Sequence, residues 1–345
     1  MASEELFEDV PPFPDNIPTA SMSIIPLESL RSGENATAKD VLGACQELGF
    51  FLLDLRGDDT GKALVQEIDH LFGLCKDLMN VPAEVKMKYQ HDIPRTFLGF
   101  KPLGQAKTET NVPDRYESFN ISQDGLMGNQ SLQELPPVVH PRLPIIISYL
   151  KHCQDIVALI NSTIATQLGL PADTFTSLQS PIQLSGTIIR FLKALASPKT
   201  EDLRTALIHH TDFGTITLLA NVVGGLQILS PGASPADESA WLWVKPQPGC
   251  LIVNLGDAMV QWTGGKLRSN MHRVRHAPGD QRYVDKYSVV YLVRPERNAS
   301  MKRLLDVDGL DDGEDDNLSA WEWEVKKAMA MARPDFVSKS KGGGE

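Results

Sequence analysis

A pair of polar residues at positions 210 and 212 could bind a metal ion. The segment 209–214 reads HHTDFG, and the apolar runs on both sides of it predict strands. Side chains two apart on a strand point to the same face, so His210 and Asp212 can converge on one point while His209 points away. Taken alone the pair is a weak signal, because a histidine on a strand is more often a hydrogen-bonded polar residue than a ligand.

A third candidate ligand, His272, lies on another predicted strand in the segment SNMHRVRHA. Two imidazoles and one carboxylate leave about three coordination positions open, an arrangement that suits non-haem Fe(II) oxygenases because a cosubstrate and O2 can bind together. A structural zinc site usually has four protein ligands, often thiolates, and no cysteine lies near either segment. His276 is the competing third ligand, but it lies four residues beyond His272, so the two cannot easily serve together.

A lysine and a serine in the segment KYSVVYLVRPE form a second candidate site. Lys286 and Ser288 are two apart and therefore share one face of the predicted strand. Directed into a barrel, they could hold a carboxylate through one charge-assisted and one neutral hydrogen bond. An exposed lysine at a strand end is the competing interpretation, and Arg282 is the competing cation.

Composition excludes several classes of function. The formal net charge of −11 argues against a nucleic-acid protein, because phosphate binding depends on clustered lysine and arginine. No uninterrupted apolar stretch approaches the roughly 20 residues needed to cross a bilayer, and the acidic N-terminus lacks the features of a signal peptide. The four cysteines are far apart and form no CxxC pair, which is typical of reduced thiols in the cytosol. We expect a cytoplasmic protein that acts on a small molecule, without a nucleic-acid or membrane partner; the oligomeric state is not predicted.

The chain divides into four parts. Residues 1–22 predict an extended, acidic arm, and residues 23–181 predict a mainly helical region that contains a partly irregular cap over 92–140. Residues 182–300 hold short apolar runs separated by turn formers, which predicts an antiparallel sandwich or barrel, with a jelly roll among the options. Residues 301–345 predict an acidic loop at 306–316, a helix in LSAWEWEVKKAMAMA and a flexible tail.

The ordered set of motifs resembles the Fe(II)/2-oxoglutarate-dependent dioxygenases of the isopenicillin N synthase-like group, over roughly residues 22–333. The N-terminal motifs are ACQELGFFLLD, NVPAEVKMKY and GFKPLGQAKTETNVPDRYESFNIS. The C-terminal motifs are HTDFGTITLL, GLQIL, IVNLGDAMVQWTGGKLRSNMHRV and YSVVYLVRPE. The segments PDRYESFNIS and AWEWEVKKA look most like fungal members, many of which serve specialised metabolism. The resemblance implies a mainly β fold with flanking helices: a double-stranded β-helix (jelly-roll) core with an N-terminal helical region.

The resemblance also implies roles for individual residues. His210, Asp212 and His272 correspond to the iron ligands, and Lys286 with Ser288 corresponds to the pair that binds the far carboxylate of 2-oxoglutarate. The chain departs from the family twice, because the family has arginine at the position of Lys286 and often a tyrosine near the position of Ala194. The implied substrate contacts lie between the barrel mouth and the cap: Arg95, Phe97, Arg115, Phe119, Arg190, Leu192 and Gln227.

The activity implied by the resemblance is oxidation of a small organic molecule in secondary metabolism. It would use Fe(II), 2-oxoglutarate and O2, with ascorbate in support, and hydrogen abstraction would lead to hydroxylation, desaturation, or ring formation or expansion. Two alternatives stay open. One is an oxidase on the same scaffold that takes no 2-oxoglutarate, and the other is a catalytically silent jelly roll that binds a small molecule.

Overall fold

Helices dominate the N-terminal part of the chain and strands dominate the C-terminal part. The computed structural model describes residues 3–93, 95–106, 108, 112–305, 314–331 and 339–343. The N-terminal elements are α1 (Glu4–Glu8), β1 (Ile24–Pro26), α2 (Leu27–Arg31), α3 (Asn35–Glu47), β2 (Phe50–Asp54), α4 (Asp59–Asn80), α5 (Ala83–Lys86), β3 (Gly99–Lys101), β4 (Tyr116–Ser122), α6 (Gln123–Leu126) and α7 (Leu143–Gln167). The C-terminal elements are β5 (Ile188–Ala194), β6 (Thr205–His210), β7 (Ile216–Asn221), β8 (Leu226–Leu229), β9 (Trp241–Trp243), β10 (Cys250–Leu255), α8 (Asp257–Trp262), β11 (Arg268–Ser269), β12 (His272–Arg275), β13 (Lys286–Leu292), α9 (Ala320–Met331) and β14 (Lys341–Gly342).

Local sequence signals fix the step from α3 into β2 and the start of α4. Gly49 makes the turn between α3 and β2 with a φ of +73°, and a Cβ there would collide with the backbone carbonyl of Arg268. A larger residue would therefore be strained both in its backbone and in its contacts. Asp58 precedes α4, and its carboxylate accepts a 2.9 Å hydrogen bond from the backbone N–H of Gly61, which satisfies a free donor of the first turn.

Two antiparallel sheets build the core of the C-terminal part. The larger has the order β1-β2-β10-β7-β13-β5-β4-β3 and the smaller has the order β6-β12-β8-β9; within the larger sheet only the β1–β2 pair is parallel. From β5 to β13 the chain passes back and forth between the two sheets, with β8 and β9 joined as a hairpin in the smaller one. This is the connectivity of a double-stranded β-helix, so the predicted jelly-roll core is present.

The two sheets face each other across a narrow interior. Leu192 and Ala194 of β5 pack on Ala206 of β6, and Val274 of β12 lies against the same cluster. Residues directly opposite each other on paired strands share a face of the sheet. Leu192 and Ala194 mark the interior face of β5. The residues that face the interior on the other strands of the larger sheet can therefore be identified from their pairing with β5, directly or through a neighbouring strand.

Helix α7 belongs to the layer that covers the other face of the larger sheet. It packs against α3 and α4, and its buried side chains include Ile146, Leu150 and Ile156. Among the described residues, the segment His140–Gln167 is long and apolar enough to cross a membrane, with a mean hydropathy of 1.4. The core helix of a soluble protein meets the same criterion, so this composition alone does not indicate a membrane span.

The structure differs from the sequence-based expectations in three places. The arm predicted as extended contains α1 and forms a β-bridge between Thr19 and Trp243. The cap predicted as irregular contains β3 and β4, which extend the larger sheet beyond β5. Residues 306–313 of the acidic segment lie outside the described residues, whereas Asp316 is buried and its carboxylate lies 3.1 Å from Nε of Arg303.

Candidate metal centre

Strand pairing brings the two candidate histidines side by side. His210 ends β6, His272 begins β12, and the two residues are direct partners in the register of these strands. Their ring centroids are 4.4 Å apart. Asp212 lies two residues beyond the end of β6, where the chain turns towards β7. His210 and His272 are far apart in the sequence, and the pairing of β6 with β12 in the smaller sheet brings them together.

The carboxylate of Asp212 completes the cluster. Its Oδ1 lies 3.8 Å from Nε2 of His210 and 3.9 Å from Nε2 of His272. One ligand atom from each of the three residues lies within 4.8 Å of the others, and within the described part of the chain this is the single such group of three or more His, Cys, Asp or Glu residues. Two imidazoles and one carboxylate are the donor set of non-haem Fe(II) oxygenases. The residues present therefore fit iron.

Hydrogen bonds aim both imidazoles at the metal position. Nδ1 of His210 donates to the carbonyl of Ile208 at 2.9 Å, and Nδ1 of His272 donates to the carbonyl of Asn270 at 3.2 Å. These bonds select the tautomer in which each Nε2 lone pair is available for a metal. The ring of His272 also packs edge-on against Phe50 of β2, with centroids 5.5 Å apart. The N-terminal part of the chain thus helps to position a ligand.

Two neutral side chains orient Asp212. Its Oδ2 accepts hydrogen bonds from Oγ1 of Thr217 at 2.7 Å and from Nδ2 of Asn254 at 2.8 Å. Burial alone raises the pKa of a carboxyl group, but His272, His210 and these two hydrogen bonds outweigh it and lower the pKa of Asp212 to about 2. Burial and the neighbouring His272 lower the pKa of His210 to about 4. At neutral pH these groups are in the forms that bind metal.

We expect Asn254→Ala and Thr217→Val each to weaken iron binding by about 10- to 100-fold, the usual effect of removing a hydrogen bond to a metal ligand. Anaerobic Fe(II) titration would measure the change. Asn129→Ala is the matched control, since its amide bonds the exposed carbonyl of Pro181 instead. Iron affinity unchanged in Asn254→Ala would mean that Asp212 is oriented by other contacts.

Lys286 and Ser288 face the interior between the sheets. Lys286 lies opposite Ala194, and Ser288 lies opposite Leu192. The lysine is 5% exposed, burial lowers its pKa to about 7, and its Nζ donates to the carbonyl of Val223 at 2.7 Å. Within the described residues it forms no ion pair. A buried cation without a carboxylate partner fits an anionic ligand.

The competing residues named from the sequence lie elsewhere. Arg282 is in a short 3-10 turn before β13, where its Nη2 donates to Oη of Tyr283 at 2.6 Å. The ring of His276 packs against Trp243 with centroids 6.2 Å apart, and His276 is outside the metal cluster. His209 points to the other side of β6, with its ring centroid 6.1 Å from that of Trp241.

Three of the seven predicted substrate contacts lie in or beside the interior. Leu192 lines it next to Ser288. Arg190, two residues earlier on β5, shares that face, and its Nε donates to Oδ1 of Asn120 at 2.9 Å. The amide of Asn120 also donates to the carbonyl of Phe97 at 2.6 Å, which places Phe97 at the rim.

Strand alternation directs two of the predicted contacts away from the interior. Gln227 is opposite Arg273 on the smaller sheet and accepts a 2.8 Å hydrogen bond from it. Because Arg273 follows the ligand His272 directly, both residues of this pair face outward. Phe119 is opposite Phe191. Phe191 is adjacent to the interior residues Arg190 and Leu192 on β5, so Phe119 and Phe191 are on the other face of the larger sheet. Strand alternation therefore directs both side chains, Gln227 and Phe119, away from the metal cluster.

The remaining two contacts are engaged elsewhere. Arg115 forms an ion pair of 2.6 Å with Asp202, and its Nη2 donates to the carbonyl of Ala196 at 2.6 Å. Arg95 is exposed and lies 3.4 Å from the carboxylate of Asp92. Neither contacts the metal cluster.

Three residues that support the site were not found from the sequence: Thr217, Asn254 and Phe50. Asn254 carried a usable signal, because an amide inside the apolar run CLIVNL must have a buried partner. Thr217 and Phe50 carried none, since threonine and phenylalanine are ordinary residues of buried strands.

Comparison with known protein families agrees with this geometry. The model of the 2OG-Fe(II) oxygenase superfamily matches residues 187–295, and the model described as non-haem dioxygenase in morphine synthesis N-terminal matches residues 17–141. The chain belongs to the Fe(II)- and 2-oxoglutarate-dependent dioxygenases and is an enzyme of that family. The predicted family, fold class and enzyme class are confirmed.

The similar proteins include fungal and bacterial examples. The 2-oxoglutarate-dependent dioxygenase gloE of Glarea lozoyensis is 31% identical over 313 residues, which cover 90% of this chain and 87% of that protein. A Neurospora crassa protein solved with alpha-KG and thymine has a TM-score of 0.72 at 21% identity, covering 90% of this chain and 97% of that one. A 2OG-Fe(II) oxygenase family protein from Caulobacter crescentus has a TM-score of 0.73 at 22% identity. The match covers 91% of this chain and 100% of that one. The solved structures show the shared fold.

Proposed function

We propose that the protein oxidises a small organic molecule of specialised metabolism by hydrogen abstraction, leading to hydroxylation, desaturation or ring formation. The observation that carries the proposal is the convergence of two sites on one interior. His210, Asp212 and His272 form a facial metal site, and Lys286 with Ser288 forms a carboxylate site between the same two sheets. Fungal relatives described as 2-oxoglutarate-dependent dioxygenases support it.

The residues of this chain bind, orient and enclose the reactants. Fe(II), 2-oxoglutarate and O2 together supply the oxidising chemistry when bound. Lys286 and Ser288 hold the far carboxylate of 2-oxoglutarate, which directs its keto acid end towards the metal cluster. Leu192, Ala194 and Ala206 form an apolar cluster between the two sheets beside this pair. Ascorbate would support turnover by keeping the iron reduced, and a cytoplasmic location fits the four buried, unpaired cysteines.

A substrate screen tests the proposal directly. Purified protein with Fe(II), ascorbate and 2-oxoglutarate would be given a library of small metabolites, and products would be read by mass. A gain of one oxygen indicates hydroxylation, and a loss of two hydrogens indicates desaturation or ring closure. One succinate formed per substrate consumed is the expected ratio. Substrate oxidised without succinate would instead identify a 2-oxoglutarate-independent oxidase. An anaerobic Fe(II) titration that shows no bound iron and no optical change with 2-oxoglutarate would favour a silent protein.

From Arg190 we further propose that the substrate carries an acidic group. Its guanidinium has one side-chain hydrogen bond, to Asn120, and forms no ion pair with any described carboxylate. Burial lowers its pKa, although Tyr116 and Asp212 oppose that effect. An arginine this deep needs an anion, because an unpaired buried charge is costly. The acidic group of the substrate would be a carboxylate or another hydrogen-bond acceptor that lies near the metal.

We expect Arg190→Met to lower kcat/KM for acidic screening hits by about 10- to 100-fold, since hydrogen bonds to charged groups contribute about 1.5–3 kcal/mol. Arg190→Lys should restore part of this loss because it keeps the charge. Decarboxylation of 2-oxoglutarate without substrate should stay within about twofold of the wild type, because Arg190 lies outside the cosubstrate pair. Equal losses for acidic and neutral hits would contradict the assignment.

A further inference from the structure

A small, strongly basic cavity lies beside Lys286, at the ends of β6 and β12 opposite to those that carry His210 and His272. Its polar lining includes four arginines, one histidine and the lysine itself: Arg115, Arg204, Arg275, Arg282, His276 and Lys286. We call it the arginine cavity. Ala194 and Ala206 from the two facing sheets line it as well. Five formal positive charges thus surround a space of about 10 Å³, room for one water-sized particle.

Acidic side chains offset part of this charge. Asp202 pairs with Arg115 at 2.6 Å, and Glu238 pairs with Arg275 at 2.9 Å. Arg204, Arg282 and Lys286 form no ion pair with any carboxylate in the described residues. The arginines are partly exposed, so solvent screens part of their mutual repulsion, and a further negative charge between them would lower the remainder.

Buried donors at the cavity also lack partners. The donors Nε of Arg115 and Nε of Arg204 are buried without a hydrogen-bond partner among the described residues, and so is the ring nitrogen Nδ1 of His276, which donates in one of its two neutral tautomers. Buried polar atoms are nearly always hydrogen-bonded, and each exception calls for an explanation. An anion in the cavity can accept hydrogen bonds from these guanidinium groups and from His276 in the tautomer that is protonated on Nδ1.

We propose that the arginine cavity binds a small inorganic anion, a halide, directly behind the lysine that anchors the cosubstrate. The cavity admits an ion close in size to water and excludes larger anions such as gluconate. The position is distinct from that of the 2-oxoglutarate carboxylate, which the Lys286 and Ser288 pair receives from the metal side. The halide stabilises the charged form of Lys286 and so strengthens cosubstrate binding. The stronger binding of the cosubstrate rests on the proposed function, whereas binding of the halide does not.

Two measurements on the full-length protein test halide binding itself. Thermal unfolding is compared in sodium chloride and sodium gluconate at equal ionic strength, and crystals soaked in sodium bromide are examined for anomalous scattering. We expect a higher Tm in chloride, because a ligand of the folded state stabilises it, and a bromide peak beside Arg204. Arg204→Gln should remove both effects, with His276→Gln as a second variant if the first does not fold.

Arg56→Gln is the matched control, because Arg56 is a surface arginine paired with Asp54. It should keep the chloride dependence of the wild type. Equal Tm values of the wild type in the two salts, with no bromide in the cavity, would overturn the proposal whatever the enzyme activity.

The effect on the cosubstrate is measured separately, by anaerobic titration of the Fe(II)-loaded protein with 2-oxoglutarate in the two salts. If the halide raises the pKa of Lys286 from about 7 to about 8, the charged fraction at pH 8 rises from about 10% to about 50%, and the apparent Kd falls about fivefold. Chloride that instead competes with 2-oxoglutarate would show that the cavity belongs to the cosubstrate carboxylate and would overturn the separate site.

Discussion

Asp212→Ala is expected to lower iron affinity by more than about 100-fold, since even the loss of a hydrogen bond to a ligand costs about 10- to 100-fold, and to abolish succinate formation. The carboxylate is the anionic member of the cluster, and its Oδ1 lies within 3.9 Å of both imidazole nitrogens. His210→Ala and His272→Ala should have the same effect. Iron content by Fe(II) titration and succinate by mass spectrometry would measure it.

His209→Ala and His276→Ala are the matched controls for this result. Both remove a histidine close in sequence to a ligand, but His209 packs on Trp241 and His276 on Trp243. We expect both variants to bind iron as the wild type does. Loss of iron in His276→Ala with retention in His272→Ala would show that the third ligand is misassigned.

Lys286→Ala is expected to raise the Kd of 2-oxoglutarate by about 10- to 100-fold, because a charge-assisted hydrogen bond contributes about 1.5–3 kcal/mol. Iron binding should be unaffected, since Lys286 does not contact the metal cluster. Titration of the Fe(II)-loaded protein with 2-oxoglutarate under anaerobic conditions measures the change. Arg282→Ala tests the competing cation and should have a smaller effect, acting only through the arginine cavity; a larger effect there than in Lys286→Ala would refute the assignment.

The same lysine predicts a pH dependence. Burial lowers the pKa of Lys286 to about 7, so it is charged below that pH and loses its proton as pH rises through it. In chloride-free buffer the apparent Kd of 2-oxoglutarate should be flat below pH 7 and rise about tenfold per pH unit above it, until it reaches the Kd of Lys286→Ala. The four arginines of the arginine cavity stay charged throughout, and burial together with Arg275 lowers the pKa of His276 to about 4. Lys286→Arg should abolish the dependence at constant chloride.

The sequence was sufficient to predict the residues that alternate on clear strands. His210 and Asp212 were separated from His209 by strand periodicity alone, and the pairing of β6 with β12 places His272 beside them. The same rule, applied to HRV, would have turned Gln227 outward with Arg273. The sequence analysis instead directed Gln227 towards the substrate, because the pairing of β8 with β12 is a long-range contact that no local pattern encodes.

Strand β4 was not predicted as part of the barrel sheet, because its interior face is polar. Ser118, Asn120 and Ser122 alternate on that face, opposite Leu192, Arg190 and Ile188 of β5. Sequence patterns assign the apolar side of a strand to the core, and here a polar side lines the cavity of an enzyme. The Gly- and Pro-rich segment before it also indicated a loop.

The order of the larger sheet limits how related enzymes can exchange parts. β2 lies beside β10 and β4 lies beside β5, so N-terminal strands flank the catalytic strands on both sides, and Phe50 also packs on His272. A chimera joined between α7 and β5 must rebuild two strand interfaces and a contact to a metal ligand. The segment between β3 and β4 is different, because Lys101 and Asp114 clamp its ends at 2.7 Å. Recombination that leaves the strand interfaces intact should therefore exchange that segment rather than the whole N-terminal half.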